Sequence, residues 1–302
     1  MSKKRSVLCK KSIFYNILLL ILFHPSSGEA ERAKEKNIKI PPSINYVTEN
    51  YLTSGSRSTE IGIAIAKKNM KSEEPLPVVV FIHGGGWRSG DKDQSIWQCF
   101  RYASDGFVGI TISYRLIDEA PLPQCIEDVK TAIRYIKSLA TDYPIDTDNI
   151  GVWGYSAGAH LALMAGLDTN TDSFNSGLYK EFNGAVKCIA AIAAPTDFSN
   201  KRNGSQILSK DQGSDVAFKS KISPLTYINP NQVPVLMIHG TNDRIVPPYH
   251  YERFADACEQ SGLDNFELIE ALNCDHLFYF KHKEYGNKVR RFFVKMLKNT
   301  QK

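Results

Sequence analysis

The chain has no C-x-x-C motif, no cysteine–histidine pairing at metal-ligand spacing and no internal repeat. These absences argue against a redox dithiol, a structural zinc site and a repeat architecture. Nor is there an apolar run long enough to cross a bilayer. The candidate, Ile13 to Phe23, has eleven residues and contains Asn16, whereas a spanning helix needs about twenty. With 42% hydrophobic, 11% aromatic and 23% charged residues, the composition excludes intrinsic disorder, collagen and coiled coil. A length of 302 residues allows two small domains, but equally one α/β domain, since these often run to about 200–250 residues.

The formal net charge of +5 is concentrated at the start of the chain. Lys3, Lys4, Arg5, Lys10 and Lys11 precede the apolar run, and small residues follow it, ending Gly28-Glu29-Ala30. This layout predicts a secretory signal peptide over residues 1–30 and export, secreted or periplasmic. The alternative is retention by an uncleaved N-terminal segment. Cys9 precedes the run, so a lipid-modified N-terminal cysteine is not implied. Without residues 1–30 the chain keeps 32 basic and 31 acidic residues, a net of +1. The basicity therefore gives no reason to expect nucleic acid, and no stable membrane anchor is expected. The other cysteines, Cys99, Cys125, Cys188, Cys258 and Cys274, are odd in number, so at least one is free. Cys188 lies in an apolar run and reads as core, and a Cys99–Cys125 disulfide is compatible with the sequence. Asn203-Gly-Ser205 matches a glycosylation acceptor.

Residues 31–43 are polar and proline-punctuated, a flexible leader. Ile44 to Tyr51 and Ile61 to Lys67 alternate, as an antiparallel strand pair does. Val78 to Ile82 and Val108 to Ser113 are continuous apolar runs, as expected of strands buried on both faces. Helical patterns lie near Gln94 to Ser104 and at Gln124 to Ala140, where Ile126, Val129, Ile133 and Ile136 recur at spacings of three and four. Alternation then continues: strand Ile150 to Trp153, helix Ala157 to Gly166, strands Ala185 to Ala194 and Val235 to His239, helix Tyr249 to Gln260, strand Phe266 to Glu270, and a helix from about Tyr285 to Leu297. This order specifies a mostly parallel sheet with helices on both faces. The polar stretches Asp168 to Tyr179 and Lys201 to Pro230 read as loops or a small cap over the C-terminal edge of the sheet, where ligands bind.

Gly154-Tyr155-Ser156-Ala157-Gly158 stands between a strand and a helix. In so tight a turn the serine is strained, its hydroxyl is pushed out at the top of the sheet, and glycines are needed on either side. His83-Gly84-Gly85-Gly86-Trp87 follows the strand Val78 to Ile82. Successive glycines let backbone N–H groups reach an oxyanion, and the donors are assigned to Gly85, Gly86 and Ala157. A phosphate loop would need Gly-Lys-Ser/Thr, which does not follow. The base is His276, in the polar loop Asn273 to Phe278. His160, one turn along the nucleophile's helix, reads as packing. Asp243 directly follows the strand Val235 to Ile238 and is preferred as the acid over Asp275, because sequence neighbours rarely orient their side chains at each other. Trp87, Tyr155, Leu277 and Phe278 flank these groups; Trp87, Tyr155 and Phe278 are taken as tentative substrate-pocket residues. Each of them reads equally as core.

Together HGGGW, GYSAGAH, HGTNDRIVP and CDHLF resemble the α/β-hydrolase superfamily, in its small-esterase branch with the HGGG oxyanion loop, the hormone-sensitive-lipase-like group. The likeness covers roughly residues 44 to 298 and is similar to bacterial acetylxylan and feruloyl esterases. It extends to Ala120-Pro-Leu-Pro123, Glu127-Asp128-Val129 and Pro195-Thr-Asp-Phe198. The resemblance implies a single α/β-hydrolase domain over residues 44–302 with an eight-stranded sheet and a minimal cap, the order Ser156, Asp243, His276, and no metal or organic cofactor. The lipases of this group usually carry an acidic residue before the serine; here it is Tyr155. That departure, and the polarity of Lys201 to Pro230, argue against a long-chain lipase. The expected activity is hydrolysis of a carboxylic ester, of a short-chain acyl group or of a carbohydrate or aryl moiety, on a small molecule or a polysaccharide. Two alternatives are a formamidase or amidase with the same triad and a non-catalytic binding protein on this fold. A prolyl-oligopeptidase-type peptidase lacks room for its N-terminal propeller.

Overall fold

Strands that are apolar on both faces need cover on both, and the chain supplies helices for each side. A computed structural model describes residues 3–8, 38–52, 57–168, 174–175, 178–199 and 207–298. The strands are β1 (Lys3–Leu8), β2 (Ile44–Asn50), β3 (Glu60–Ala66), β4 (Leu76–Ile82), β5 (Val108–Ile112), β6 (Ile145–Tyr155), β7 (Cys188–Ile192), β8 (Val235–Gly240) and β9 (Phe266–Leu272). The helices are α1 (Ile96–Ser104), α2 (Gln124–Ser138), α3 (Ala157–Leu167), the short α4 (Lys210–Ser214) and α5 (Val216–Lys221), α6 (Tyr249–Ser261), the one-turn α7 (Phe278–Lys281) and α8 (Lys283–Leu297).

The sheet order is β1-β9-β8-β7-β6-β4-β5-β3-β2. β3 pairs antiparallel with β2 and β5, and the other pairings are parallel. β2 to β9 are the eight strands the sequence implies. β1 adds a ninth from the stretch read as a signal peptide, running parallel to β9 with Lys3 opposite Glu267 and Leu8 opposite Leu272. β4 displays the division of the core: Val78, Val80 and Ile82 pack with α2, α3 and α6, while Val79 and Phe81 pack with α1 and α8. The four apolar residues that repeat along α2 are all fully buried, each stabilising by roughly 1.5–3 kcal/mol. α3 is buried along its whole length, held between the sheet on one side and α2 and the cap on the other. A helix that is apolar on nearly every side, with His160 its one polar side chain, is stable only in such a place.

Two expectations need correction. Cys99 and Cys125 do not form a disulfide: both are buried free thiols, as are Cys188 and Cys258, and each fills space in the core. The cap is more regular than its polarity implies, because Ser209 and Asp215 cap α4 and α5 through their side chains. The glycosylation acceptor at Asn203, most of the leader and the apolar run Ile13 to Phe23 lie outside the described residues.

Asp128 of α2 pins the helix to Arg115 through an ion pair. Asp128, 2% exposed, accepts from the Arg115 amide at 2.9 Å and from its guanidinium at 2.6 and 2.9 Å. Asp128→Ala strands the Arg115 amide, and denaturant unfolding is expected to show a loss of about 2–3 kcal/mol. An unchanged stability would contradict this role.

Candidate active site

Parallel register brings four loops to one edge of the sheet. Ile82 lies opposite Gly154, Tyr155 opposite Ile192, Ile192 opposite Ile238, and Gly240 opposite Ala271. The loops that leave β4, β6, β8 and β9 therefore emerge side by side at the C-terminal edge, where open α/β sheets bind ligands.

Between β6 and α3, Ser156 has φ 55° and ψ −120°, a backbone state that side-chain-bearing residues rarely occupy. Its amide donates to the Ile192 carbonyl at 2.8 Å, and its own carbonyl accepts from Ala159 and His160 at 2.9 and 3.1 Å. A Cβ at position 154 would run into the Gly158 carbonyl, and one at position 158 into the carbonyls of Ile82 and His83. Both glycines are thus required by close approach of backbone.

The turn presents Ser156 Oγ 3.0 Å from His276 Nε2, and His276 Nδ1 lies 2.6 Å from Asp243 Oδ2. A proton on Nδ1 donated to the carboxylate leaves Nε2 free to accept from the serine hydroxyl. Asp243 is 2% exposed, and its other oxygen accepts the Ile245 and Val246 amides, both at 2.9 Å. Burial alone would raise its pKa. The hydrogen bond and charge of His276, the Val246 amide and nearby His239 outweigh that and hold the carboxyl below its ordinary value. The loops that carry Asp243 and His276 are tied together by Asn242 N–H to the Cys274 carbonyl at 2.9 Å and Asn273 N–H to Thr241 Oγ1 at 2.8 Å. Asp275 is otherwise engaged, with the Leu277 amide at 2.9 Å and Lys281 Nζ at 2.6 Å.

The glycine loop passes directly over the serine. A Cβ on Gly84 would lie 3.5 Å from that of Ser156, and Gly85 and Gly86 have φ of 112° and 61°. His83 anchors the loop: its Nδ1–H donates to the Gly84 carbonyl at 2.7 Å, and its ring stacks on Tyr114 at 4.2 Å. Trp87 is fixed from below. Its indole N–H donates to His160 Nδ1 at 3.3 Å, and His160 Nε2–H donates to the Ile222 carbonyl at the end of α5, at 2.8 Å. His160 is a packing residue, as expected, and it links the glycine loop to the cap.

Of the three tentative pocket aromatics, Phe278 faces the core, while Trp87 and Tyr155 are about as buried as Ser156. Phe278 is 1% exposed and packs on Tyr285 at 5.0 Å; the turn of α7 rotates it into the core and brings out Leu277 and Phe280. Trp87 is spent on His160. Tyr155 is buried, its hydroxyl donating to the His276 carbonyl at 2.7 Å and its ring packed on Phe280 at 4.7 Å. Phe280 and Ile245, both exposed, were not identified from the sequence; only the phase of a one-turn helix distinguishes Phe280 from Phe278. Two hollows of about 260 and 310 Å³ lie at the opposite end of the sheet, around Thr141, and contain none of these residues. Among the described residues no cluster of three or more His, Cys, Asp or Glu could hold a metal.

A mostly parallel sheet with a strained serine elbow, a following acid loop and a histidine loop defines the α/β-hydrolase fold. The BD-FAE family model matches residues 64–257, and the chain belongs to that family. It is 25% identical over 277 residues to the esterase LipQ of Mycobacterium tuberculosis, covering 85% of this chain and 65% of that protein. It spans between about half and two thirds of the curated relatives it matches first. Among solved structures it is similar to a truncated carbohydrate esterase from gut microbiota, with TM-score 0.74 and 23% identity over 84% of this chain and 96% of that one. An esterase from Thermogutta terrifontis, Est2, gives TM-score 0.70 and 22% identity over 86% and 96%.

Four buried histidines around this edge make the fold sensitive to acid. His83, His160, His239 and His250 each have a pKa lowered to about 4, mainly by burial. Unfolded, they would bind protons near pH 6.5, so the unfolded state carries more protons between those values. Their stability contribution is complete above about pH 6.5 and is lost as pH falls toward 4. Unfolding curves between pH 7 and 4 are expected to show uptake of about three to four protons near pH 5; uptake of fewer than about one would contradict neutral histidines.

Proposed function

We propose that the protein is a serine esterase acting through an acyl-enzyme, and the observation that carries this is the continuous Ser156–His276–Asp243 hydrogen-bonded line. His276 Nε2 takes the proton of Ser156 as Oγ bonds to the substrate's carbonyl carbon. Asp243 holds the imidazole in the tautomer that can accept, and stabilises it once it is charged. The amides of Gly85, Gly86 and Ala157 receive the oxyanion. Ala157 opens α3, so helical geometry leaves its N–H without an internal partner. The C–O bond to the alcohol then breaks, His276 returns the proton to the leaving oxygen, and a water deprotonated by His276 releases the carboxylic acid. The kinship with esterases and with a carbohydrate esterase supports an ester as the substrate.

Export through residues 1–30 belongs to the same proposal and is supported by their basic start and short apolar run. The pairing of β1 with β9 favours the second reading, retention of the segment. Intact mass of the natural product decides: a chain beginning at Glu31 supports cleavage, one still carrying residues 1–30 contradicts it.

Ser156→Ala is expected to lower kcat on a short activated ester by at least about a thousandfold at unchanged stability; equal hydrolysis by the variant would refute the assignment. Tyr155→Phe removes only the donor that holds the His276 carbonyl. Burial, together with the charges of Asp243 and Asp275, keeps that phenol well above its ordinary pKa and therefore protonated. The variant is expected to lose about fivefold in kcat with little change in KM, and an unchanged kcat would show that the bond does not position the base.

A further inference from the structure

The loop that carries Asp243 leaves the end of β8 and returns to two prolines, and its two arms are held in different ways. The outgoing arm is fixed to β9 and the loop beyond it: Thr241 N–H donates to the Ala271 carbonyl at 3.0 Å and Asn242 N–H to the Cys274 carbonyl at 2.9 Å. The returning arm, Arg244 to Val246, leads into Pro247 and Pro248, which have no N–H to give. It is tied back to the sheet by His239, the penultimate residue of β8. His239 Nε2–H donates to the Val246 carbonyl at 2.8 Å, and the Val246 amide donates to Asp243 Oδ1 at 2.9 Å. The same Nε2 lies 3.5 Å from Asp243 Oδ2, the oxygen that faces His276 Nδ1 at 2.6 Å.

His239 is fully buried, with the Tyr251 ring at 5.0 Å. Burial lowers its pKa to about 4, so it is a neutral imidazole whose proton sits on the nitrogen that meets the carbonyl. At 3.5 Å the approach to Oδ2 is too long for a good second hydrogen bond, but the positive end of the N–H dipole still favours the ionised carboxylate. A continuous line of contacts therefore runs from His239 through Val246 and Asp243 to His276 and Ser156. If the returning arm moves, the amides on Oδ1 move with it, and Oδ2 no longer faces the imidazole. A misplacement of about 1 Å at a reacting group can cost about a hundredfold in rate.

Resting on the esterase reading, we propose that His239 is a positioning residue of the reaction: its Nε2–H holds the returning arm of the loop so that Asp243 Oδ2 faces His276. It touches neither the substrate nor the reacting atoms, and it gives and takes no proton.

Three substitutions separate the donor from the space it fills. His239→Leu removes the N–H, His239→Gln places an amide N–H at about the reach of Nε2, and His239→Asn carries the same amide one bond too short to meet Val246. On a short activated ester, kcat is expected to fall about tenfold or more in His239→Leu and His239→Asn with KM within about twofold, and to stay within about threefold of the unsubstituted protein in His239→Gln. Thermal unfolding checks that each variant keeps its fold; if His239→Leu does not, the two amides decide, since they bring the same polar group into the same space. An unchanged kcat in folded His239→Leu, or equal kcat in His239→Gln and His239→Asn, overturns the proposal. A protein that hydrolyses no such ester refutes the esterase reading instead, and proton NMR then decides the placing of Asp243. The low-field resonance of the His276 Nδ1 proton, assigned by its loss in His276→Gln, is expected to persist in His239→Gln and to vanish or move upfield in His239→Asn, as a charge-assisted bond lengthens. Its absence from the unsubstituted protein, or the same resonance in both variants, overturns the proposal.

Discussion

The arrangement depends on a single strained turn. Ser156 occupies a backbone state that its side chain disfavours, at a cost of about 1–3 kcal/mol, and it stays there because its neighbours leave no other path. Gly154 and Gly158 let three backbone segments approach more closely than any side chain would allow. The Ile192 carbonyl takes the serine amide, and α3 behind it is buried along its whole length. A helix fixed in that way cannot tilt to relax the turn. The strain is therefore held by the middle of the sheet, the stiffest part of the molecule, and its product is a hydroxyl fixed in direction.

The other groups of the proposed triad are placed against that fixed point by polar contacts with few free ends. Both oxygens of Asp243 are engaged, one with His276 and the other with the two amides that follow it. His276 is held through its ring by Asp243 and through its carbonyl by Tyr155, the residue next to the serine. The elbow thus fixes His276 as well as Ser156, although 121 positions separate Tyr155 from His276. An acidic residue at 155 could not donate to a carbonyl, so the departure from the related lipases has a mechanical meaning. The neutral histidines His83 and His160 do comparable work under the glycine loop, joining it to Tyr114 and to the cap.

Much of this was legible in the sequence, for physical reasons. Strands buried on both faces must be continuously apolar, and β4, β5 and β7 read that way. The elbow was recognisable because its glycines are demanded by backbone contact rather than by chance. Asp243 and His276 could be chosen because each directly follows a strand whose end the parallel order brings to the same edge. What could not be read were directions of side chains. Phe278 and Phe280 differ only in the phase of a helix one turn long, and one is core while the other is exposed. Tyr155 looked like pocket lining because nothing in a linear sequence shows where its hydroxyl ends. β1 was unreadable as a strand, since its basic residues match an export signal better than a sheet edge.

The central claim is that Ser156 is a nucleophile activated by His276 and Asp243 acting as one unit. Treatment of the full chain with a diethyl p-nitrophenyl phosphate, followed by intact-mass measurement and peptide mapping, tests it most directly. The account predicts a single diethylphosphoryl adduct, located on Ser156, formed much more slowly in His276→Ala and in Asp243→Ala. An adduct on any other residue, or labelling of Ser156 at an undiminished rate in both variants, would contradict it.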